Sequence, residues 1–71
     1  MLTNYIVIQL NGKPFNCKYN LLLKDLLVYL NVNPYSNIIE YNDEIIQNSL
    51  LKETILQSGD KVEIVTMVGG G

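Results

Sequence analysis

The chain has no histidine, arginine, tryptophan or alanine, and its single cysteine is Cys17. Without histidine it lacks the commonest general base and metal ligand. One cysteine closes neither an intramolecular disulfide nor a multi-cysteine zinc site, which favours a reducing compartment. Positive charge is scarce: five lysines stand against seven Asp plus Glu, for a net charge of −2. Nucleic-acid binders concentrate Lys and Arg to displace phosphate counterions, so a nucleic-acid partner is excluded. No uninterrupted apolar run exceeds Leu26–Leu30, and the N-terminus lacks a basic region followed by an apolar signal core. Neither a membrane span nor export is expected. The expected location is the cytoplasm, or the plastid stroma if the chain is organelle-encoded; the Asn-, Ile-, Leu- and Tyr-rich usage suits an AT-rich genome.

At 71 residues there is no room for a second domain. A chain this short hides roughly 60% of its unfolded surface, so a deep pocket of its own would consume the core and a partner must complete any active site. With 48% apolar and 17% charged residues the composition is that of a folded globular domain.

The pattern begins with Tyr5 to Leu10, β-branched and aromatic, with Ile6, Ile8 and Leu10 on one face of a strand. Asn11-Gly12 readily takes a type I′ turn, and alternation resumes with Phe15, Cys17 and Tyr19, so the first two strands form a hairpin. From Leu21 to Val32 the period changes. Leu23, Leu26, Leu27 and Leu30 fall at i, i+3, i+4 and i+7 of a helix, with Asn20 as N-cap and Pro34 as the stop beyond its end. Asn37 to Tyr41 and Glu44 to Ile46 read as two short edge strands joined by Asn42-Asp43. Asn48 to Ile55 reads as a helical turn under the sheet. After Ser58-Gly59-Asp60 the final strand runs from Lys61 to Val68.

One amphipathic helix with four to five strands requires a mixed sheet, with a right-handed crossover placing later strands parallel to earlier ones. That order describes an α+β chain of the β-grasp or ubiquitin-like roll type, with the last strand central beside the first. Half of a ferredoxin-like fold has the same element count but needs a second long helix. The expected division is a domain over 1–68 and a flexible glycine tail over 69–71.

Gly69-Gly70-Gly71 closes the chain. At ordinary glycine usage such a run arises by chance roughly three times in ten thousand. Its plain reading is a frayed end; its chemical reading starts from the terminal carboxylate. That group is a poor electrophile until ATP converts it to an acyl-adenylate, which a sulfur or nitrogen nucleophile then attacks. To reach the nucleotide it must enter a narrow channel in another enzyme, and glycine supplies a thread without side chains.

Ile39-Glu40-Tyr41-Asn42-Asp43-Glu44-Ile45-Ile46 and the stretch from Leu56 to Gly71, with Asn11-Gly12 and the Leu-rich helix, resemble the ThiS family of sulfur carriers of thiamin thiazole biosynthesis. The likeness covers essentially the whole chain. It implies a β-grasp protein that is no enzyme itself and whose Gly71, preceded by Gly70, is adenylated and converted to a thiocarboxylate. The implied partners are an E1-like adenylating enzyme (ThiF type), a thiazole synthase (ThiG type) and a sulfur-donating cysteine desulfurase or rhodanese. No cofactor of its own is implied, ATP being used by the activating enzyme, and no metal. Two positions depart from the family pattern: Asp43 stands where Gly is usual, and Gln47-Asn48 where Pro-Arg is frequent.

Strand parity adds a docking expectation. If Ile6, Ile8, Val62 and Ile64 face the helix, then Tyr5, Val7, Val65 and Met67 face away from it, next to Val68 and Gly69, as one apolar patch at the root of the tail. Cys17 invites a persulfide reading, but its strand face makes it a small buried hydrophobe. Asp60 and Asp43-Glu44 read as turn residues, and the five tyrosines as strand and core formers. The same residues leave open a molybdopterin-type carrier, a ubiquitin-like protein modifier, and a regulatory β-grasp module.

Overall fold

The structure is a computed structural model that describes residues 4–67. Five strands form one mixed sheet: β1 (Tyr5–Leu10), β2 (Lys13–Lys18), β3 (Asn37–Tyr41), β4 (Glu44–Ile45) and β5 (Lys61–Thr66), in the spatial order β2-β1-β5-β3-β4. Among the described residues one α-helix, α1 (Leu23–Tyr29), covers one face, and a 3₁₀ helix over Asn48–Glu53 closes the core beside it. β5 lies centrally, parallel to β1 and antiparallel to β3. This is the β-grasp arrangement expected from the order of elements.

The β1–β2 hairpin follows from Asn11-Gly12, whose φ angles of 49° and 82° are both positive, as a type I′ turn requires. Asn42-Asp43 makes the same turn between β3 and β4 without glycine, at φ 52° and 71°. Asn and Asp tolerate this region better than other side chains. Here they are also tied down: the Asp43 carboxylate holds the Lys61 ammonium at 3.0 Å, and Asn42 Oδ1 accepts the Lys61 N–H at 2.8 Å. The missing glycine therefore leaves the turn type intact.

The helix is shorter than the Leu21–Val32 periodicity suggests, for identifiable reasons at both ends. Leu22 bridges Ile55, and Leu56 N–H donates to Leu21 O at 2.9 Å, so the chain before α1 is held extended alongside 54–56. Asn20 is not the N-cap. It sits in a turn at φ 66°, the cap position belongs to Leu22, and the first helical N–H, that of Leu23, donates to Thr54 O at 2.8 Å. At the other end Asn31 adopts φ 61°, while Val32 N–H reaches Leu27 O and Asn31 N–H reaches Val28 O. This Schellman closure stops the helix before Pro34 is reached.

Ile8, Cys17, Leu23, Leu26, Leu27, Ile39, Leu51, Leu56 and Val62 form the buried core, so the inner sheet face is the one parity assigned to it. Two strand assignments change. β3 is interior, paired on both sides, and among the described strands β4 and β2 are the edges. β5 ends at Thr66, with Met67 following it, and the expected extension to Val68, like the domain boundary at 68/69, lies outside the described residues.

Candidate functional site

The base of β5 is fixed by a polar junction around Asp60. Its side chain is nearly buried, at 9% exposure, and its carboxylate accepts hydrogen bonds from the Tyr41 hydroxyl, the Asn42 amide (3.2 Å) and the Gln57 N–H (2.8 Å). Its backbone N–H returns to Gln57 O at 3.0 Å, and its carbonyl accepts from Gln9 N–H at 2.8 Å. One residue thus joins β1, the β3–β4 turn and β5. Burial, and then the hydrogen bond to Asp60, push the Tyr41 phenol up to about 12. Asp60 is a turn residue as expected, and it also anchors the strand that leads to the tail.

Further along, β5 outruns the β1–β2 hairpin. Ile64 N–H donates to Asn11 Oδ1 at 2.8 Å, after which only β3 accompanies β5, through Ile38 opposite Val65 and Asn37 opposite Thr66. Among the described residues the last bond in this series is Met67 N–H to Ser36 O at 3.2 Å. Everything up to Met67 is therefore held by the sheet. Val68, Gly69, Gly70 and Gly71, the residues expected to carry the chemistry and its nearest contacts, lie outside the described residues.

Tyr5 (64%), Val7 (47%), Val65 (47%) and Met67 (50%) are all exposed on the face away from α1. They do not form the single patch expected from parity. β1 and β5 are parallel with Gln9 level with Lys61. Val7 lies two positions before that level and Val65 four beyond it, an offset of about 20 Å at roughly 3.3 Å per residue. Tyr5 and Val7 thus belong to the far end of the face. The apolar neighbour of Val65 is Ile38, opposite it on β3, while Ile45, 69% exposed, lies further out on the same face, opposite Glu40 and level with Glu63. These two isoleucines are not part of the patch expected from parity, because β3 and β4 are short strands to which the sequence reading assigns no face. The alternation Ile38-Ile39-Glu40 against buried Ile39 was the available signal.

Cys17 is buried in the inner face opposite Ile6. Burial, and then the Asp60 charge, push its thiol up, which keeps it protonated and unreactive. Among the described residues no cluster of His, Cys, Asp and Glu could hold a metal, and no helix is long and apolar enough to cross a membrane.

The glycine-terminated sheet protein matches the ThiS family model over residues 8–71. The chain belongs to the ThiS family. Its members are small ubiquitin-like sulfur carriers, not catalysts. A crystal structure of the thiamine biosynthesis protein ThiS from Geobacter metallireducens superposes with a TM-score of 0.81 at 29% identity, covering 93% of this chain and 100% of that one. The ycf40 protein of Porphyra purpurea, uncharacterised, is 45% identical over the full length of both chains. A thiazole synthase of Magnetococcus marinus is 33% identical over 64 residues, which are 90% of this chain and 20% of the synthase. The ThiS-like segment is thus one fifth of a longer enzyme there.

Proposed function

We propose that this protein is the sulfur carrier for the thiazole ring of thiamin, with the carboxylate of Gly71 as the loaded group. The observation that carries the reading is the family match, which extends from residue 8 to residue 71 and so includes Gly69-Gly70-Gly71. In the first step the carboxylate attacks the α-phosphate of ATP on an E1-like adenylating enzyme, and pyrophosphate leaves. The terminal sulfur of a persulfide, carried by a cysteine desulfurase or rhodanese type of donor, then displaces AMP to give an acyl disulfide. A reducing thiol attacks the donor's sulfur and breaks the S–S bond, leaving with the donor as a mixed disulfide. The product is a thiocarboxylate in which sulfur has replaced one oxygen. A thiazole synthase takes up that sulfur. The presence of a ThiS-like segment within a thiazole synthase chain supports this choice over a molybdopterin-type carrier or a protein modifier.

Intact-mass measurement on protein isolated from its source tests the reading. A fraction heavier by one oxygen-for-sulfur exchange at the C-terminus is the expected result, and its loss on alkylation of the thioacid confirms the position. Amide-linked adducts on other proteins, with no thiocarboxylate, would favour a modifier instead.

Cys17 takes no part in this scheme, since its thiol is buried and protonated. Cys17→Ala is expected to be thiocarboxylated at the parent rate, with the small cavity costing about 1 kcal/mol of stability. Loss of sulfur loading by a folded Cys17→Ala protein would place sulfur transit at that residue.

A further inference from the structure

Pairing between β3 and β5 sets Glu40 directly opposite Glu63, on the face away from α1. Residues so paired have Cβ atoms roughly 5 Å apart, and like charges in that position oppose the pairing. Among the described residues no ammonium bonds either carboxylate. Lys61, two positions along β5 from Glu63 on the same face, is held by Asp43 at 3.0 and 3.3 Å. Around the acidic pair stand Ile38 and Val65 on the next rung, Met67 beyond them, and Ile45 beside Glu40 on β4. Three of these four apolar side chains are about half or more exposed.

The two features together specify what covers the face. Exposed isoleucine, valine and methionine on adjoining strands gain by being covered. Covering two adjacent carboxylates with a purely apolar surface would strand their charge, so the cover must bring a cation. A guanidinium or ammonium between two carboxylates makes charge-assisted hydrogen bonds and removes their mutual repulsion.

We propose that this face docks a thiazole synthase through an apolar contact centred on one basic side chain of the synthase, seated between Glu40 and Glu63. The proposal rests on the functional reading above. The choice of synthase follows from the relative in which the same kind of segment and a thiazole synthase share one chain. Met67 immediately precedes residues 68–71, so the dock lies at the root of the segment that would deliver sulfur.

The experiment is calorimetric titration of the thiazole synthase from the same source with the parent protein, with the double variant Glu40→Gln plus Glu63→Gln, with Glu63→Lys, and with Val65→Asp. Gln keeps the shape of Glu, so the double variant is expected to fold, with an unfolding midpoint equal to the parent's or a few degrees higher once the repulsion is gone. It is expected to bind the synthase at least tenfold more weakly and to lose most of the parent's salt dependence. Glu63→Lys is expected to bind more weakly still. Parent-like affinity in the double Gln variant, with binding lost only in Val65→Asp, would overturn the cation and leave the carrier reading standing. A lowered midpoint in the double variant would also count against it, by showing that the pair serves the fold. Failure of the parent itself to bind the synthase would remove both this inference and the synthase as partner, whereas the mass measurement above would still decide whether the chain is a sulfur carrier.

Discussion

Removing Gly71 is expected to abolish ATP–pyrophosphate exchange with the cognate adenylating enzyme while leaving the fold unchanged. The reasoning is one of reach. An extended residue spans about 3.5 Å, so the truncated chain presents its new carboxylate a full residue short of the α-phosphate. Reacting atoms must approach within about 3 to 3.5 Å, and an error of 1 Å already costs on the order of a hundredfold in rate. Adding a residue after Gly71 has the same effect for a different reason, since it turns the reacting carboxylate into an amide. Among the described residues the ladder runs to Thr66 and the bond from Met67 to Ser36, and the core reaches Ile64, so both changes fall outside the part of the chain that builds the described sheet. Exchange assays and thermal unfolding of the two altered chains separate these effects. Undiminished exchange by the chain lacking Gly71 would show that another group is activated.

How far such features can be read from residues alone depends on how local their causes are. The Asn11-Gly12 hairpin is decided by two residues and their φ preferences, and it forms where the dipeptide stands. The inner face is decided by alternation, and Ile6, Ile8, Cys17, Val62 and Ile64 all face the helix as parity requires. The ends of α1 are not local. Leu21 and Leu22 continue the helical spacing, yet they pair with the distant segment 54–56, and that pairing takes precedence over propensity. The outer patch failed for a related reason. Parity tells which side of the sheet a residue occupies, but the sliding of β5 along β1 is set by long-range pairing, and it separates Val7 from Val65, while the pairing with β3 sets Ile38 beside Val65. The glycine run suggests chemistry through its lack of side chains, and it lies outside the described residues. Asp60 was legible as a turn residue, but its partners Tyr41 and Asn42 lie 19 and 18 positions away, and no local pattern announces them.

That junction carries the second large effect. Asp60→Ala is expected to cost about 2 to 4 kcal/mol, because it removes a buried acceptor of three hydrogen bonds and strands the Gln57 N–H and the Tyr41 hydroxyl. For a chain of this length total stability is on the order of 4 to 10 kcal/mol, so a large part of it would go. Asp60→Asn, which keeps the shape and one acceptor oxygen, should cost less. The alkaline limb of stability supplies an independent check. Tyr41 holds its proton in the folded protein up to about 12, against an ordinary value of 10.0. A group whose folded value is raised binds more protons folded than unfolded within that window, so its contribution is complete below the ordinary value and disappears as pH climbs through the raised one. The parent should therefore lose stability between about pH 10 and 12, and Tyr41→Phe should lose less over the same range. In Asp60→Ala the phenol should titrate closer to its ordinary value, since burial alone remains to raise it, and ultraviolet titration of tyrosinate reads this directly. Denaturant midpoints of Asp60→Ala within about 0.5 kcal/mol of the parent, the range of an ordinary surface change, would mean that β5 is anchored by its ladders and not by this carboxylate.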